Sequence, residues 1–217
     1  MITPKVTQII LVRHGETAWN RQQVFRGTAD MPLNENGRAQ ARLLGMGLRD
    51  RKIAIAYVSP LLRAVETAEI ALGQRGVKIV QDERLKDFCY GDWQGLEEVE
   101  VKQRWPKEYE SWVSRPESIC VPGGNTLAEV FQAAFGAMEE IAAKHRGETV
   151  VILAHRVVNK LLVLGALGLG LERFSFIRQD NCCIDVFEWS EQGYVLVSIN
   201  DTSHLHGHGV DLLAMDF

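Results

Sequence analysis

Short apolar runs recur along this chain, and each is followed by a polar turn and then a stretch of helical rhythm. That alternation leaves few folds open. Gln8-Ile9-Ile10-Leu11-Val12 has the uninterrupted apolar character of a strand buried on both faces. Asn34-Glu35-Asn36 offers a cap for a helix carrying Ala39, Ala41, Leu43, Leu44, Met46 and Leu48. Ile53 to Val58 reads as a second strand, and Ser59-Pro60 as the N-cap and first-turn proline of a helix to about Leu72. Val77 to Val80 is a third, shorter strand. Asn125 is expected to cap a long helix to about Lys144, Thr149 to Ala154 is a fourth strand, and Val157 to Leu167 is helical. Strands near Ile184 to Trp189 and Tyr194 to Ile199 close the chain around the turn Ser190-Glu191-Gln192-Gly193. The expectation is an α/β protein, a three-layer αβα sandwich around a mostly parallel central sheet.

The middle breaks the rhythm. Residues 86–124 are rich in Gly, Pro and Trp, with helices expected from Glu97 to Arg104 and around Glu108 to Ser114. Pro106, Pro116 and Pro122 interrupt them, so the stretch is read as a cap-like insertion over one edge of the core. With no internal repeat, 1–217 is expected to form one domain. Lys and Arg total 24 against 28 Asp and Glu, a net charge of −4, which argues against a nucleic-acid binder relying on bulk charge. The longest uncharged apolar run, Leu161 to Leu171, is shorter than the roughly 20 residues of a membrane span. Cys89, Cys120, Cys182 and Cys183 lack metal-type spacing and no secretory segment is read before them. They are expected to be free thiols in a cytoplasmic protein; a homodimer is left open.

In sheets of this kind a ligand sits beyond the carboxyl ends of the strands. Three such ends carry groups suited to phosphate. The first strand runs into Arg13-His14-Gly15-Glu16-Thr17-Ala18-Trp19-Asn20, the second into Ser59-Pro60-Leu61-Leu62-Arg63, and the fourth into His155-Arg156. Arginine binds phosphate oxygens in a planar, bidentate way, and a neutral histidine held in one tautomer is a nucleophile. Arg156 also opens a helix whose free N–H groups favour an anion. The bland alternatives are a buried structural histidine for His14 or His155 and solvated surface charges for Arg63, Arg26 and Arg156.

Leu11-Val12-Arg13-His14-Gly15-Glu16-Thr17-x-Trp19-Asn20 resembles the signature of the histidine phosphatase superfamily, the phosphoglycerate mutase-like fold. Pro32-Leu33-Asn34-Glu35-Asn36-Gly37, Ser59-Pro60-Leu61-Leu62-Arg63-Ala64-x-Glu66-Thr67-Ala68, Tyr90-Gly91-Asp92-Trp93-Gln94-Gly95, Pro122-Gly123-Gly124-Asn125-Thr126 and His155 follow in the family's order. The resemblance implies a metal-independent, cofactor-free phosphatase acting on a small phosphorylated metabolite. His14 would become phosphohistidine, Arg13, Arg63 and His155 would hold the phosphoryl oxygens, and Asn20 would add a neutral donor. Asp87 stands where the family usually has Glu and is expected to be the acid and base, with Glu16 and Asp92 next in line. Arg26 replaces a frequent Gln and Arg156-Val157 a common Gly-Gly, so two extra cations imply a substrate with a second negative charge. His204 lies in a Thr-x-His-Leu segment that similar members bring near the pocket.

The tail histidines His204, His206 and His208 invite a metal reading, which the resemblance does not support. Trp93, Trp105 and Trp112 are read as packing rather than as a stacking platform, and Cys182-Cys183 as core. Two rival functions stand beside the phosphatase. A mutase of the same family would need the Glu-Arg-His-Tyr-Gly pattern that the region around Asp87 lacks. A non-catalytic binding relative would have no use for four convergent polar groups that are costly to bury. Candidate substrates implied by the family are phosphoserine, phosphoglycerates, sugar phosphates and a nucleotide-loop phosphate of cobalamin synthesis.

Overall fold

The continuous apolar run at the N-terminus feeds two cores at once. In the computed structural model, which describes residues 6–212, it forms β1 (Thr7–Arg13). Ile9 and Leu11 face one side of a sheet, Ile10 and Val12 the other, and all four are fully buried. Burial of such side chains stabilises by about 2 kcal/mol each. The sheet is completed by β2 (Ile53–Val58), β3 (Lys78–Gln81), β4 (Thr149–Ala154), β5 (Ile184–Ser190) and β6 (Gly193–Asp201). Its order is β3-β2-β4-β1-β5-β6. The β2·β3, β2·β4 and β1·β4 pairs are parallel, whereas β1·β5 and β5·β6 are antiparallel.

Around it stand α1 (Ala18–Arg21), α2 (Glu35–Gly47), α3 (Leu62–Leu72), α4 (Glu98–Arg104), α5 (Pro106–Ser114), α6 (Leu127–Lys144) and α7 (Arg156–Ala166). Leu44, Ala64, Ala68 and Leu72 of α2 and α3 close the face of Ile10 and Val12. Ala134, Met138, Ile141, Leu161 and Leu164 of α6 and α7 close the opposite face. The chain leaving β1 therefore passes to one side of the sheet, and the chain leaving its neighbour β4 passes to the other. Such a divergence opens a crevice at the strand ends.

The segment 86–124 packs on the α6 and α7 side. Trp93, Val101, Trp112, Ile119 and Val121 are buried in the same cluster as Ile9 and Leu11, and Trp105 packs against it half-buried. Three local expectations change. Pro106 opens α5 rather than breaking a helix, because a first-turn proline lacks only an N–H that would have no partner there. Thr126, not Asn125, caps α6, through a reciprocal capping box with Glu129. Asn125 is spent on Cys89, accepting its N–H at 3.1 Å and donating its own to the Cys89 carbonyl at 2.9 Å. Ser59 does not cap α3, whose N-cap is Leu61; its hydroxyl turns into the crevice instead.

The start of α2 is clamped to the loop that leaves β1. Asn34 caps α2 by accepting from Gly37 N at 2.8 Å and donates to the Glu16 carboxylate at 2.6 Å. Glu16 is buried, ion-paired with Arg21 at 2.6 Å, and Arg21 reaches Asp211 at 2.7 Å. Backbone meets backbone here: a Cβ on Gly15 would lie 2.6 Å from the Gly37 carbonyl oxygen, and one on Gly37 would strike the Glu16 main chain.

Gly37→Ala should accordingly lose about 1–3 kcal/mol, the range for overpacking. Gly136→Ala, in α6 with open space around it, should instead gain about 0.5–1 kcal/mol from helix propensity. Urea denaturation of the two variants checks the opposite signs.

Candidate active site

Three parallel strand ends converge. Arg13 of β1 stands beside Ala154 of β4, and Val58 of β2 beside Leu153. The next residues are pinned in the same way: His14 N–H donates to the Ala154 carbonyl at 3.1 Å, and Ser59 N–H to the Leu153 carbonyl at 3.0 Å. His14, Ser59 and His155 thus leave the sheet side by side, on elements too rigid to drift.

His14 is buried, and its Nδ1–H donates to the Gly15 carbonyl at 2.6 Å. That bond selects the tautomer in which Nε2 carries the lone pair, and Arg63 Nε donates to that nitrogen at 3.3 Å. Burial first, then the charges of Arg63, Arg13 and Arg26, holds its pKa well below the usual histidine value. The ring is a neutral imidazole whose one lone-pair nitrogen is held in a fixed direction.

His155 faces it, with ring centroids 5.2 Å apart. Ser59 Oγ accepts from Leu61 N–H at 3.3 Å and donates to His155 Nε2 at 2.7 Å, which leaves the proton on Nδ1. That Nδ1 is buried, lacks a hydrogen-bond partner among the described residues, and lies 3.7 Å from Asp87 Oδ2. A buried donor without an acceptor is costly, and an anionic oxygen would satisfy it. Burial, with Arg63 next, keeps this imidazole neutral as well.

Arg63 is fully buried and held by four acceptors. Besides His14, it donates to the Gly27 carbonyl at 2.8 Å, the Ala29 carbonyl at 2.9 Å and Asp87 Oδ2 at 3.0 Å. Arg13 Nη1 donates to the Gln179 carbonyl at 2.6 Å, and its charge is felt by both imidazoles. Arg26 is buried, donates to the Trp19 carbonyl at 3.3 Å, and its charge reaches His14, Asp87 and His155. Asp87 is buried among these cations, its Oδ1 accepting from Phe88 N–H at 3.0 Å. Burial raises its pKa, and Arg63 and Arg26 pull the other way without cancelling it. Desolvation outweighs the arginines, so the carboxyl keeps its proton to higher pH than a free aspartate.

The other sequence candidates divide. Asn20 is buried at the end of α1, its amide oxygen accepting from Thr17 N–H and Oγ1, both at 2.9 Å. Arg156 is the half-buried first residue of α7, whose N-cap is His155. His204 is not brought to the cluster. It packs on Gly47 at the end of α2, with Asp201 and His206 as its charged neighbours, because the turn after β6 folds back against α2. Among the described residues no group of three or more His, Cys, Asp or Glu is placed to hold a metal ion, so the tail histidines do not gather into one. Glu16 is committed to Arg21, and Asp92 is exposed.

Sequence reasoning missed Ser59, Thr67, Gln179 and Asn181. Thr67 Oγ1 accepts from Gly15 N–H at 3.0 Å and donates to the Arg63 carbonyl at 2.6 Å, which locks the two signature segments together. Asn181 Nδ2 donates to the His14 carbonyl at 3.0 Å. Thr67 sat inside a motif and was legible; Gln179 and Asn181 sit in a loop with no local pattern.

A cluster of this kind suits a tetrahedral dianion and can offer a nitrogen lone pair to phosphorus. That defines the class: an α/β phosphoryl-transfer protein. The model of the histidine phosphatase superfamily (branch 1) matches residues 9–202, and the chain belongs to that superfamily. It is 31% identical over 200 residues to phosphoserine phosphatase 1 of Hydrogenobacter thermophilus, covering 92% of this chain and 95% of that one. The solved structure of Bacillus stearothermophilus YhfR superposes with a TM-score of 0.88 at 34% identity, covering 92% of this chain and 99% of the other. A phosphoserine phosphatase mutant of Entamoeba histolytica, solved with phosphoserine, has a TM-score of 0.82 at 27% identity, with coverage of 92% and 99%.

Both site imidazoles should keep neutral-form ¹⁵N shifts at about pH 6, where a free histidine of pKa near 6.5 is mostly protonated. The sign carries into folding: as pH falls through about 6.5, the unfolded chain takes up protons that the folded one refuses, so stability drops. Asp87 tilts the balance the other way at lower pH, since its folded carboxyl holds a proton that the unfolded one has released.

Proposed function

We propose that this protein hydrolyses a small phosphomonoester bearing a second negative charge, through a phosphohistidine formed on His14. One observation carries the reading: a buried, neutral imidazole whose Nε2 lone pair is held beside Arg63 at 3.3 Å. In the first step His14 Nε2 forms a bond to phosphorus as the bond to the ester oxygen breaks. The Asp87 proton passes to that oxygen, and the alcohol leaves. In the second step the ionised Asp87 takes a proton from water, whose oxygen attacks phosphorus as the P–N bond breaks. Inorganic phosphate departs, and His14 and Asp87 return to their starting states. Arg13, Arg63, the His155 Nδ1–H and the N-terminus of α7 meet the phosphoryl oxygens, supplying charge that a divalent ion supplies elsewhere.

Arg26 and Arg156 add positive charge beyond what one phosphate needs, which supports a leaving group with a carboxylate. The phosphoserine phosphatases among the relatives make O-phosphoserine the first ester to test. The four cysteines are free thiols, two of them buried, which supports a reducing, cytoplasmic setting.

A panel of phosphomonoesters assayed with chelator present should favour carboxylate-bearing esters over neutral alkyl phosphates. A brief pulse of labelled ester, quenched in alkali, should leave acid-labile label on His14 and none in His14→Ala. Label on another residue with His14→Ala still active would overturn the mechanism.

Asp87→Asn should lose on the order of 10²–10⁴-fold on an alkyl ester, whose leaving oxygen needs a proton. On a nitrophenyl ester the rate of phosphoenzyme formation, measured by rapid quench, should fall much less. Equal losses on both esters would remove Asp87 from the acid role.

A further inference from the structure

Asp185 is a fully buried carboxylate that the steps above do not use. It lies on β5 opposite Leu11 of β1, two positions before Arg13. Both oxygens are engaged: Oδ2 accepts from Gln179 Nε2 at 2.7 Å and Oδ1 from Asn200 N–H at 2.6 Å. Gln179 is itself buried, and its main-chain carbonyl accepts from Arg13 Nη1. Cys183 Sγ donates to its side-chain oxygen at 3.3 Å. The same segment holds the end of β1 and the residue after it: Asn181 donates to the His14 carbonyl, and Cys182 N–H donates to the Arg13 carbonyl at 3.1 Å. Cys182 does so in the left-handed region, at φ 54°, a conformation that a non-glycine residue keeps only when its surroundings enforce it.

A buried carboxylate is an expensive way to fill space, since an apolar side chain of similar size avoids the desolvation. Burial pushes its pKa up, the donors from Asn200 and Gln179 pull it down, and the balance stands at about 6, which favours the ionised form at neutral pH. An ionised acceptor holds a glutamine amide harder than a neutral one does. With its side chain anchored at that end, Gln179 presents its carbonyl to Arg13 in one direction.

We propose that Asp185 is a positioning residue, acting through Gln179 to aim Arg13 at the phosphoryl group bound over His14. The inference rests on the phosphatase reading for its consequence and on the hydrogen bonds for its route. It also assigns the loop before β5 a part in the reaction that no motif marks.

The test is a double-mutant cycle on the full chain, with kcat and KM on nitrophenyl phosphate and, independently, the Kd for inorganic phosphate by calorimetry. Asp185→Ala should lower kcat/KM ten- to a hundredfold, the scale of a misplaced catalytic group, and weaken phosphate binding. In an Arg13→Ala background the same change should lose under about threefold, because its target is already gone. Gln179→Ala, which keeps the carbonyl but removes the anchored side chain, should reproduce the Asp185→Ala loss with less strain on the fold. If Asp185→Ala fails to fold, Gln179→Ala carries the cycle alone. Full additivity with Arg13→Ala, or wild-type kcat/KM and phosphate affinity in both variants, would overturn the proposal. A wild-type protein that binds phosphate with the expected coupling but hydrolyses no ester would sink the functional reading and leave this one standing.

Discussion

A buried cation touching a base that must stay uncharged is the condition on which this molecule is built. Arg63 has no access to solvent, and its Nε meets the Nε2 of His14. Removing a guanidinium from water is costly unless its planar fork meets acceptors. Gly27, Ala29, Asp87 and His14 accept from four of its five N–H groups. Burial first, and charge repulsion after it, keeps the imidazole neutral, and the same guanidinium holds a charge suited to a phosphoryl group. Because the acceptors come from three separate parts of the chain, the fold must be complete before the site exists.

The scaffold meets that demand by rigidity. His14 and His155 leave the adjacent parallel strands β1 and β4 directly after their last paired residues. The loop after β1 is then trapped between layers. Thr67 of α3 holds Gly15, the first turn of α2 presses on it, and the carboxylate of Glu16 is committed to Arg21 and Asn34. Two glycines permit the close approach of α2, since any side chain there would force the nucleophile loop off the sheet. Preorganisation of this kind removes reorganisation from the reaction step, which is where an electrostatic site gains most.

In the proposed reaction the acid and the clamp share one small volume, and their demands conflict. As that acid, Asp87 would have to hold a proton beside Arg63 and Arg26, which favour its ionised form. Burial resolves the conflict in favour of the proton. A dianionic phosphoryl group bound there would offset those cations, so substrate binding would reinforce the protonated state that the proposed departure of an alcohol requires.

Much of this was legible in the chain. Period and composition alone placed Ile53–Val58 and Thr149–Ala154 as strands, and the turn between β5 and β6, as the structure has them. Arg13, His14, Arg63 and His155 could be singled out because each stands at the end of such a strand, just beyond it, or in the first turn of the helix that follows. Local patterning determines these things because a strand buried on both faces, a capped helix and a signature loop each leave their mark within a dozen residues. What the sequence could not settle were the partners. Ser59 meets a histidine 96 residues away, Arg13 a carbonyl 166 residues away. His204, close to a familiar pattern, packs on α2 instead of entering the pocket. Those pairings follow from strand order and from which face each crossover takes, and both are settled by how two apolar cores close around the sheet. No periodicity within one segment encodes where another segment will lie, so only the tertiary structure decided them.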